Sequence, residues 1–403
     1  MQGSRQLGNL ITLLRKTRMT ADSSTDLARF IYVVCQHGAE TAAKKEITAG
    51  NPELRLAFSR PGFLTFKLDT GVSWPEKFTL RSTLARTSGW SLGRTMGADA
   101  KLLIDEILLE TKLNGPQTRS FGPDDFRHLH VWERDGRVPG HKGFEPGPTV
   151  LATEIGALFG KQFEQFKRAM SINEIARPDD KVLDIVLVEP DQWWYGYHYA
   201  STIPGRWPGG VPLIDTTVET VSRAYFKVAE ALAWSGIEIQ AGDWCAEIGS
   251  SPGGCCQLLL ERGANVIGID PAEMEPELLA NKNFIHIRRR GNEVRKRDLA
   301  DVKWLFADLN IVPNYTLDTV TEIVSHESVD IKGMILTMKL PDWKLVEEVP
   351  AIMNRVRELG FSVVKTRQLA FNRQEFCLFA VKDKFLLREG KKQAQQQRRA
   401  GKS

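Results

Sequence analysis

The chain has 403 residues, too many for one ordinary core, so two or three domains are expected. Its composition, 42% hydrophobic and 26% charged, is that of a globular protein. No apolar run approaches the roughly 20 residues that span a bilayer, so we expect no membrane partner. The net charge of +4 lies at the two ends, because residues 1–21 carry +4, residues 384–403 carry +6 and the body between them carries −6.

Five scattered cysteines form no CxxC pair, a pattern that predicts reduced thiols and a cytoplasmic protein. The sequence also lacks an apolar signal-peptide core near its start. No His–Cys–acid cluster lies near the candidate site residues, so we expect no metal.

Residues 1–27 predict a disordered extension, and either Met1 or Met19 could be the true start. Residues 28–96 predict a small ferredoxin-like domain with the order β-α-β-β-α-β. RFIYVVC reads as its first strand and ETAAKKEITA as a helix. LRLAFSRPGFLTFKL reads as two strands around a Pro-Gly turn, and WPEKFTLRSTLARTSGWSLG as a further helix and strand.

Residues 97–200 predict a second α+β region, and 201–220 a linker rich in proline and glycine. His128 and His130 alternate along a predicted strand. A metal site is one interpretation, but packed or surface histidines are favoured because no acid or cysteine completes a pattern. An aromatic run could stack RNA bases, although alternating aromatics favour a sheet core or a domain interface. The run comprises Trp193, Trp194, Tyr195, Tyr197 and Tyr199.

From residue 221 to 383, apolar strands alternate with helical segments, which predicts a Rossmann-like, doubly wound α/β domain. The last two strands are expected to form an antiparallel edge pair.

A glycine turn in this domain predicts a nucleoside site. WCAEIGSSPGGCCQLLLERGANVIGID reads as strand, turn, helix and strand, and an acid ending a second strand holds ribose hydroxyls in such sheets. GSSPGG differs from GxGxxG, so the turn suits S-adenosylmethionine better than NAD. The candidate cofactor-binding residues are Glu247, Gly249, Ser250, Ser251, Pro252, Gly253, Gly254 and Asp270.

Four further segments, SRAYFKVAEAL, VKWLFADLN, GMILTMKLP and QEFCLFAVK, resemble those of the FtsJ/RlmM family of ribose 2′-O-methyltransferases. The resemblance is strong over 221–383, fair over 30–95 and thin over 96–200. It implies that Lys227, Asp308, Lys339 and Glu375 form the family's catalytic tetrad, that Asp308 also contacts the cofactor, and that 97–200 is a THUMP-type RNA-binding domain. The family usually has an acid after the third strand that holds the adenine amine. Here Asn292 is the nearest candidate.

The resemblance implies S-adenosylmethionine-dependent 2′-O-methylation of ribosomal RNA, at a 23S rRNA cytidine or in a precursor. Lys339 would be the general base, because burial and a second ammonium both disfavour a charged lysine. Two alternatives stay open: another structured RNA such as tRNA, or a non-catalytic RNA-binding ribosome-assembly factor. We expect a monomer or a weak dimer.

Two basic segments could contact RNA phosphates. IHIRRRGNEVRKR, at 285–297, contains six basic residues and one acid and lies near the expected cofactor edge, which slightly favours such a contact over a solvated face. The tail 384–403 is predicted to be disordered, and it either adds affinity for RNA or only increases solubility.

Overall fold

The computed structural model describes residues 29–111, 126–165 and 170–387. The predicted extension 1–27 and residues 388–403 of the predicted tail lie outside the described residues.

The N-terminal half forms one mixed sheet. Its strand order is β2-β3-β1-β4-β8-β7-β5-β6, and β4 pairs antiparallel with β8. The sheet therefore runs across the predicted boundary after Met96 without a break, and the division into two domains stays a prediction. The strands are β1 (Phe30–Val34), β2 (Leu54–Arg60), β3 (Phe63–Leu68), β4 (Thr87–Met96), β5 (His128–Glu133), β6 (Ser171–Ile172), β7 (Lys181–Glu189) and β8 (Gln192–Tyr199).

In the part of this half that the structure describes, three α-helices accompany the sheet: α1 (Glu40–Gly50), α2 (Ala100–Glu110) and α3 (Val150–Gln165). Helix α2 begins where the side chain of Asp99 accepts hydrogen bonds from the backbone of Lys101 and Leu102 at 2.9 and 3.3 Å.

The prediction of a helix between β3 and β4 is wrong, because residues 69–86 contain no helix. Side chains hold this segment in an irregular path instead. The Trp74 indole donates to Glu53 at 2.9 Å, and Phe78 packs edge-on against Trp90 with ring centroids 5.0 Å apart. The four strands β1–β4 still keep a split β-α-β arrangement, with β3 between β1 and β2.

The aromatic run on β8 belongs to the core, as the favoured interpretation predicts. Trp193, Tyr195 and Tyr197 face the helices, whereas Trp194 lies on the opposite face against Phe63. Tyr199, at the end of the strand, is half-buried.

The C-terminal half forms a second sheet of order β11-β10-β9-β12-β13-β15-β14. Strand β15 runs antiparallel to both of its neighbours, so the predicted antiparallel pair β14–β15 is confirmed, with β14 at the edge. The strands are β9 (Trp244–Ile248), β10 (Asn265–Ile269), β11 (Phe284–Ile287), β12 (Trp304–Ala307), β13 (Gly333–Lys339), β14 (Val363–Arg367) and β15 (Glu375–Val381). The helices are α4 (Ala224–Ser235), α5 (Gly254–Glu261), α6 (Pro276–Leu279), α7 (Pro313–Val324) and α8 (Val349–Glu358).

Alternate residues of these strands enter two separate cores. On β9, Cys245 packs with α4 and α5, whereas Ala246 and Ile248 pack with α7 and α8. Helices therefore cover both faces, which confirms the doubly wound α/β prediction for this half. The chain order reverses between β9 and β12, where such folds place their ligand crevice.

Both ends of this domain are more ordered than the sequence predicts. In the predicted linker 201–220, Trp207 is buried, because short 3-10 turns fold it against the domain. At the other end, Leu387 pairs with Ile237. The described structure thus extends four residues into the predicted tail. All five cysteines are unpaired and buried, in agreement with the prediction of free thiols.

Candidate active site

The strands β9 and β12 end side by side at the reversal point, and the chain approaches itself closely there. Gly249 follows β9 with φ +78, and a Cβ atom on it would lie 2.7 Å from the backbone oxygen of Asp308, which follows β12. Only glycine satisfies both conditions. The predicted turn and the predicted acid are therefore brought together.

The other two glycines of the turn are surrounded by protein. A Cβ atom on Gly253 (φ +127) would lie 2.1 Å from Leu278, and one on Gly254 would lie 2.3 Å from the Ser222 hydroxyl oxygen. These glycines therefore let α5 begin in close contact with α6 and with the segment before α4. This packing reason was not apparent in the sequence.

Asp270 faces the turn, as its place at the end of β10 predicts. Its carboxylate accepts hydrogen bonds from the backbone of Ser251 at 3.2 Å and of Ala272 at 2.8 Å. The Ser250 hydroxyl contacts the sulfur of Met274 at 3.4 Å. Asp270 therefore fixes the shape of the turn.

The remaining turn residue, Pro252, is exposed, and its carbonyl accepts from the backbone of Glu275 at 3.0 Å. Asn292 is also exposed. The preceding Gly291 lies against Ile248, where a Cβ atom would come within 2.6 Å of that side chain, so Asn292 is near the carboxyl end of β9.

The four predicted tetrad residues form a closed ring of alternating charge, defined as Lys227, Asp308, Lys339 and Glu375. Lys227 Nζ lies 2.5 Å from Asp308 Oδ2 and 3.1 Å from Glu375 Oε1. Lys339 Nζ lies 2.5 Å from Glu375 Oε2 and 2.8 Å from Asp308 Oδ1. The last contact has the distance of an ion pair without the angle of a hydrogen bond.

The ring perturbs its own members. Burial would raise the pKa of Glu375, but the two lysines outweigh it and lower that pKa to about 2. Burial would likewise lower the pKa of Lys227, but Asp308 and Glu375 raise it above its ordinary value. The ring therefore favours a Glu375 carboxylate and a charged Lys227.

Glu247 lines the same cavity as the ring and can bind a proton. It is almost fully buried on β9, and burial raises its pKa to about 8. The thiol of Cys256 donates to Glu247 Oε2 at 2.9 Å. A neutral carboxylic acid is consistent with this enclosed setting.

A cavity of about 320 Å³ joins the ring to the glycine turn. Two arginines that the sequence interpretation missed also line it. The side chain of Arg223 pairs with Glu145 at 2.7 Å, and Arg373 Nε donates to the carbonyl of Pro139 at 3.0 Å. Both partners come from the N-terminal half, so no local pattern could reveal them. The lining comprises Ser222, Arg223, Ala224, Lys227, Glu247, Gly249, Ser250, Ser251, Asp308, Lys339, Arg373 and Glu375.

The basic segment after β11 is partly neutralised. Arg288, Arg295 and Lys296 pair with Glu273, Asp298 and Glu322 at 3.3, 3.0 and 3.3 Å. Its remaining cations are exposed, and their contact with RNA stays a prediction.

His128 and His130 are buried, not surface-exposed. His128 pairs with Asp180 at 3.1 Å, and His130 contacts the carbonyl of Glu174 at 2.9 Å. Across the described ranges there is no group of three or more His, Cys, Asp or Glu residues that could hold a metal ion. Within the same ranges, no helix has the length and apolarity needed to cross a membrane.

The C-terminal half of the chain is similar to known proteins. Residues 220–383 match the family model of the FtsJ-like methyltransferases. The ribosomal RNA large subunit methyltransferase M of Halorhodospira halophila is 29% identical over 177 residues, which are 43% of this chain and 51% of that protein. The protein of the same name in Tolumonas auensis is 25% identical over 222 residues, 52% of this chain and 60% of that protein. The matches thus span about half the length of these relatives.

Among solved structures, the fibrillarin pre-rRNA processing protein of Methanococcus jannaschii is similar with a TM-score of 0.32 and 14% identity. The match covers 49% of this chain and 81% of that one. A TM-score of 0.32 is too low to support a conclusion.

S-adenosylmethionine is the cofactor of the FtsJ-like methyltransferases, as the glycine turn predicts. The matched residues contain the turn, the ring and the cavity between them. Residues 220–383 of this chain therefore belong to the FtsJ-like methyltransferase family.

Proposed function

We propose that the protein transfers a methyl group from S-adenosylmethionine to a ribose 2′-oxygen in ribosomal RNA. The observation that carries the proposal is the ring of two lysines and two carboxylates, which opens on the same cavity as the glycine turn. The names of the relatives support ribosomal RNA as the substrate.

The residues present fit the cofactor. The turn at 249–254 and Asp270 would hold the nucleoside, and Asn292, whose neighbour Gly291 lies against Ile248 at the end of β9, would contact adenine. The cavity of about 320 Å³ beside the turn leaves room for the methionine part and the entering ribose. When bound, S-adenosylmethionine supplies an electrophilic methyl group attached to a positively charged sulfur.

Lys339 accepts the proton of the attacking hydroxyl in this proposal. The lysine must be neutral when the hydroxyl arrives, yet two carboxylates lie against its Nζ atom, Glu375 at 2.5 Å and Asp308 at 2.8 Å. A positive charge introduced beside the ring would counteract the two carboxylates and favour release of a proton from Lys339. The ring therefore holds Lys339 in place and leaves its charge sensitive to what occupies the cavity.

The remaining residues have positioning roles. Lys227 bridges the two carboxylates from the opposite side of the ring and shares their charge with Lys339. Glu375 holds both ammonium groups. General-base help of this kind contributes roughly 10²–10⁴-fold to a rate, and alignment of the hydroxyl with the methyl group contributes further.

The test is transfer of a radiolabelled methyl group to deproteinised RNA, followed by separation of the RNA species and nuclease mapping of 2′-O-methylated nucleotides. We expect label in large-subunit rRNA at a cytidine. Label in tRNA instead would replace the substrate but keep the chemistry. Absence of transfer to any RNA, with retained binding of S-adenosylhomocysteine and of RNA, would favour a non-catalytic assembly factor.

A further inference from the structure

The loop that delivers Glu375 to the ring lies in the junction between the two halves of the protein. It spans residues 368–374, between the edge strand β14 and the start of β15. On the C-terminal side, both oxygens of the fully buried Glu230 accept hydrogen bonds from the backbone of Ala370 and Phe371 at 2.9 and 3.0 Å. The middle of the loop is therefore held by α4, the helix that also contains Lys227.

Within this loop, Asn372 contacts the ring directly. Its side chain is fully buried, and its amide Nδ2 donates to Glu375 Oε1 at 3.2 Å. Its Oδ1 accepts from the backbone of Leu369 at 2.9 Å, which fixes the orientation of the amide. The same oxygen of Glu375 also accepts from Lys227 at 3.1 Å. Asn372 thus shares an acceptor with the ring.

The N-terminal half holds Asn372 from the other side. Gln36 follows strand β1 and is only 2% exposed. Its amide Nε2 donates to the backbone oxygen of Asn372, and its Oε1 accepts from Gln368 Nε2 at 3.1 Å. Gln368 in turn donates to the carbonyl of Arg373 at 3.0 Å. One buried glutamine from the first sheet therefore holds the loop at two points.

We propose that Gln36 and Asn372 are positioning residues that make the placement of Glu375, and hence methyl transfer, depend on docking of the N-terminal half. The proposal rests on the proposed function. It assigns the N-terminal half a part in the chemistry besides any contact with RNA.

The physical reason is that the charges in a buried ring interact strongly, so a small displacement of one member changes the contacts of the others. Glu375 is within 3.1 Å of both lysines, and its side chain is only 5% exposed. A small shift of this carboxylate would leave Lys227 and Lys339 sharing Asp308 alone, which changes both the direction of Lys339 and its preference for a proton. A hydrogen bond that holds the loop contributes about 0.5–1.5 kcal/mol, which corresponds to up to about tenfold in rate when it acts only on the reactive arrangement.

The junction offers a matched control. The hydroxyls of Thr83 and Thr366 contact each other at 2.9 Å across the same two halves, and this side-chain contact involves neither Gln36 nor Glu375. The backbone oxygen of Thr83 also accepts from the backbone of Gln368 at 2.6 Å, a contact that a change of the Thr366 side chain leaves in place. Thr366→Val removes a polar contact between the halves without altering the path to Glu375. A residue that only holds the two halves together would behave like this control.

The experiment compares Gln36→Met, Asn372→Asp and Thr366→Val in the full chain. We expect Gln36→Met to lower the single-turnover methyl-transfer rate about tenfold, with unchanged affinity for S-adenosylhomocysteine by calorimetry. The midpoint of the rate against pH should move to lower pH, because a weaker hold by Glu375 favours a neutral lysine. Asn372→Asp keeps the acceptor for Leu369 but loses the donor to Glu375, and should be slower still. Thr366→Val should transfer at the wild-type rate.

A Gln36→Met rate and pH midpoint equal to those of Thr366→Val would overturn the proposal. Should Gln36→Met fail to fold, Asn372→Asp decides, and a wild-type rate and pH profile in that variant would overturn it equally. Inactive wild-type protein would instead refute the proposed function.

Discussion

Two clusters of ionisable side chains lie in different halves of the molecule, and only one of them lines the same cavity as the glycine turn. In the N-terminal half, Asp184 accepts from the Tyr32 hydroxyl at 2.6 Å and pairs with His198 Nδ1 at 2.6 Å. His198 also contacts the carbonyl of Gly205 at 2.5 Å. Burial alone would lower the pKa of His198, but Asp184 raises it.

The charge ring is equally dense but differently placed. The side chain of Lys339 is 22% exposed toward the cavity, whereas that of Asp184 is 2% exposed. Strong pairing and perturbed pKa values therefore occur in both clusters. The ring is distinguished by its cavity, which it shares with the glycine turn, whereas His198 lines a different cavity. A cluster that is enclosed and satisfied stabilises the fold, whereas one that shares a cavity with a cofactor turn can act on a substrate.

The largest expected effect separates the clusters by activity. Asp308→Asn removes the carboxylate that both lysines share, and should lower single-turnover methyl transfer by roughly 10²–10⁴-fold. Tyr32→Phe removes one hydrogen bond from the other cluster and should transfer at close to the wild-type rate. Rapid-quench assays with radiolabelled cofactor measure both. Equal losses in the two variants would remove the distinction.

The converse experiment separates them by stability. Asp184→Ala leaves His198 buried without its acid, and should lower the free energy of unfolding by about 3–5 kcal/mol. Binding of S-adenosylhomocysteine by the folded protein should not change. Urea titration followed by fluorescence gives the first quantity and calorimetry the second. A stability equal to that of the wild type would show that the enclosed cluster does not support the fold.

A smaller effect is expected in the ring, where the contribution of Glu375 to the free energy of unfolding depends on pH. The folded-state pKa of Glu375 lies below its ordinary value, so its contribution to stability is present above about pH 4.5 and is lost as the pH falls toward 2. That contribution is about 3 kcal/mol. Glu375→Gln should therefore show a shallower decrease in unfolding free energy below pH 4.5 than the wild type. Parallel pH curves would mean that the two lysines do not hold this carboxylate.

The smallest effect concerns a region outside both clusters. Deleting residues 388–403, which carry a net charge of +5, should leave cofactor affinity unchanged. RNA affinity at low salt should decrease, and its dependence on salt should become shallower, because fewer phosphate counterions are released. Filter binding at several salt concentrations tests this. An unchanged slope would leave the tail a solubilising role only.

The ring was predicted from the resemblance of four segments to the FtsJ/RlmM family, and three of its members lie at the ends of strands. Asp308 follows β12, Lys339 ends β13 and Glu375 begins β15. Parallel and antiparallel strands of one sheet bring such positions to a common edge. The doubly wound fold was predictable from the alternation of apolar strands and helices after residue 221, and the glycine turn from its place between a strand and a helix.

The contacts between the halves could not be predicted. Gln36 and Asn372 are 336 positions apart, and neither residue type signals a partner. The wrong helix prediction between β3 and β4 has a similar cause, because tertiary contacts of Trp74 and Phe78 override the local preference.

The most direct test of the central claim is the rate of Lys339→Arg beside Lys339→Ala. Arginine preserves a positive charge facing Asp308 and Glu375, but its guanidinium cannot give up a proton at working pH. We expect both variants to bind S-adenosylhomocysteine and RNA, and both to lose roughly 10²–10⁴-fold in single-turnover methyl transfer to ribosomal RNA. A near-normal rate in Lys339→Arg would show that the ring supplies a charge and not a base, and would contradict the mechanism.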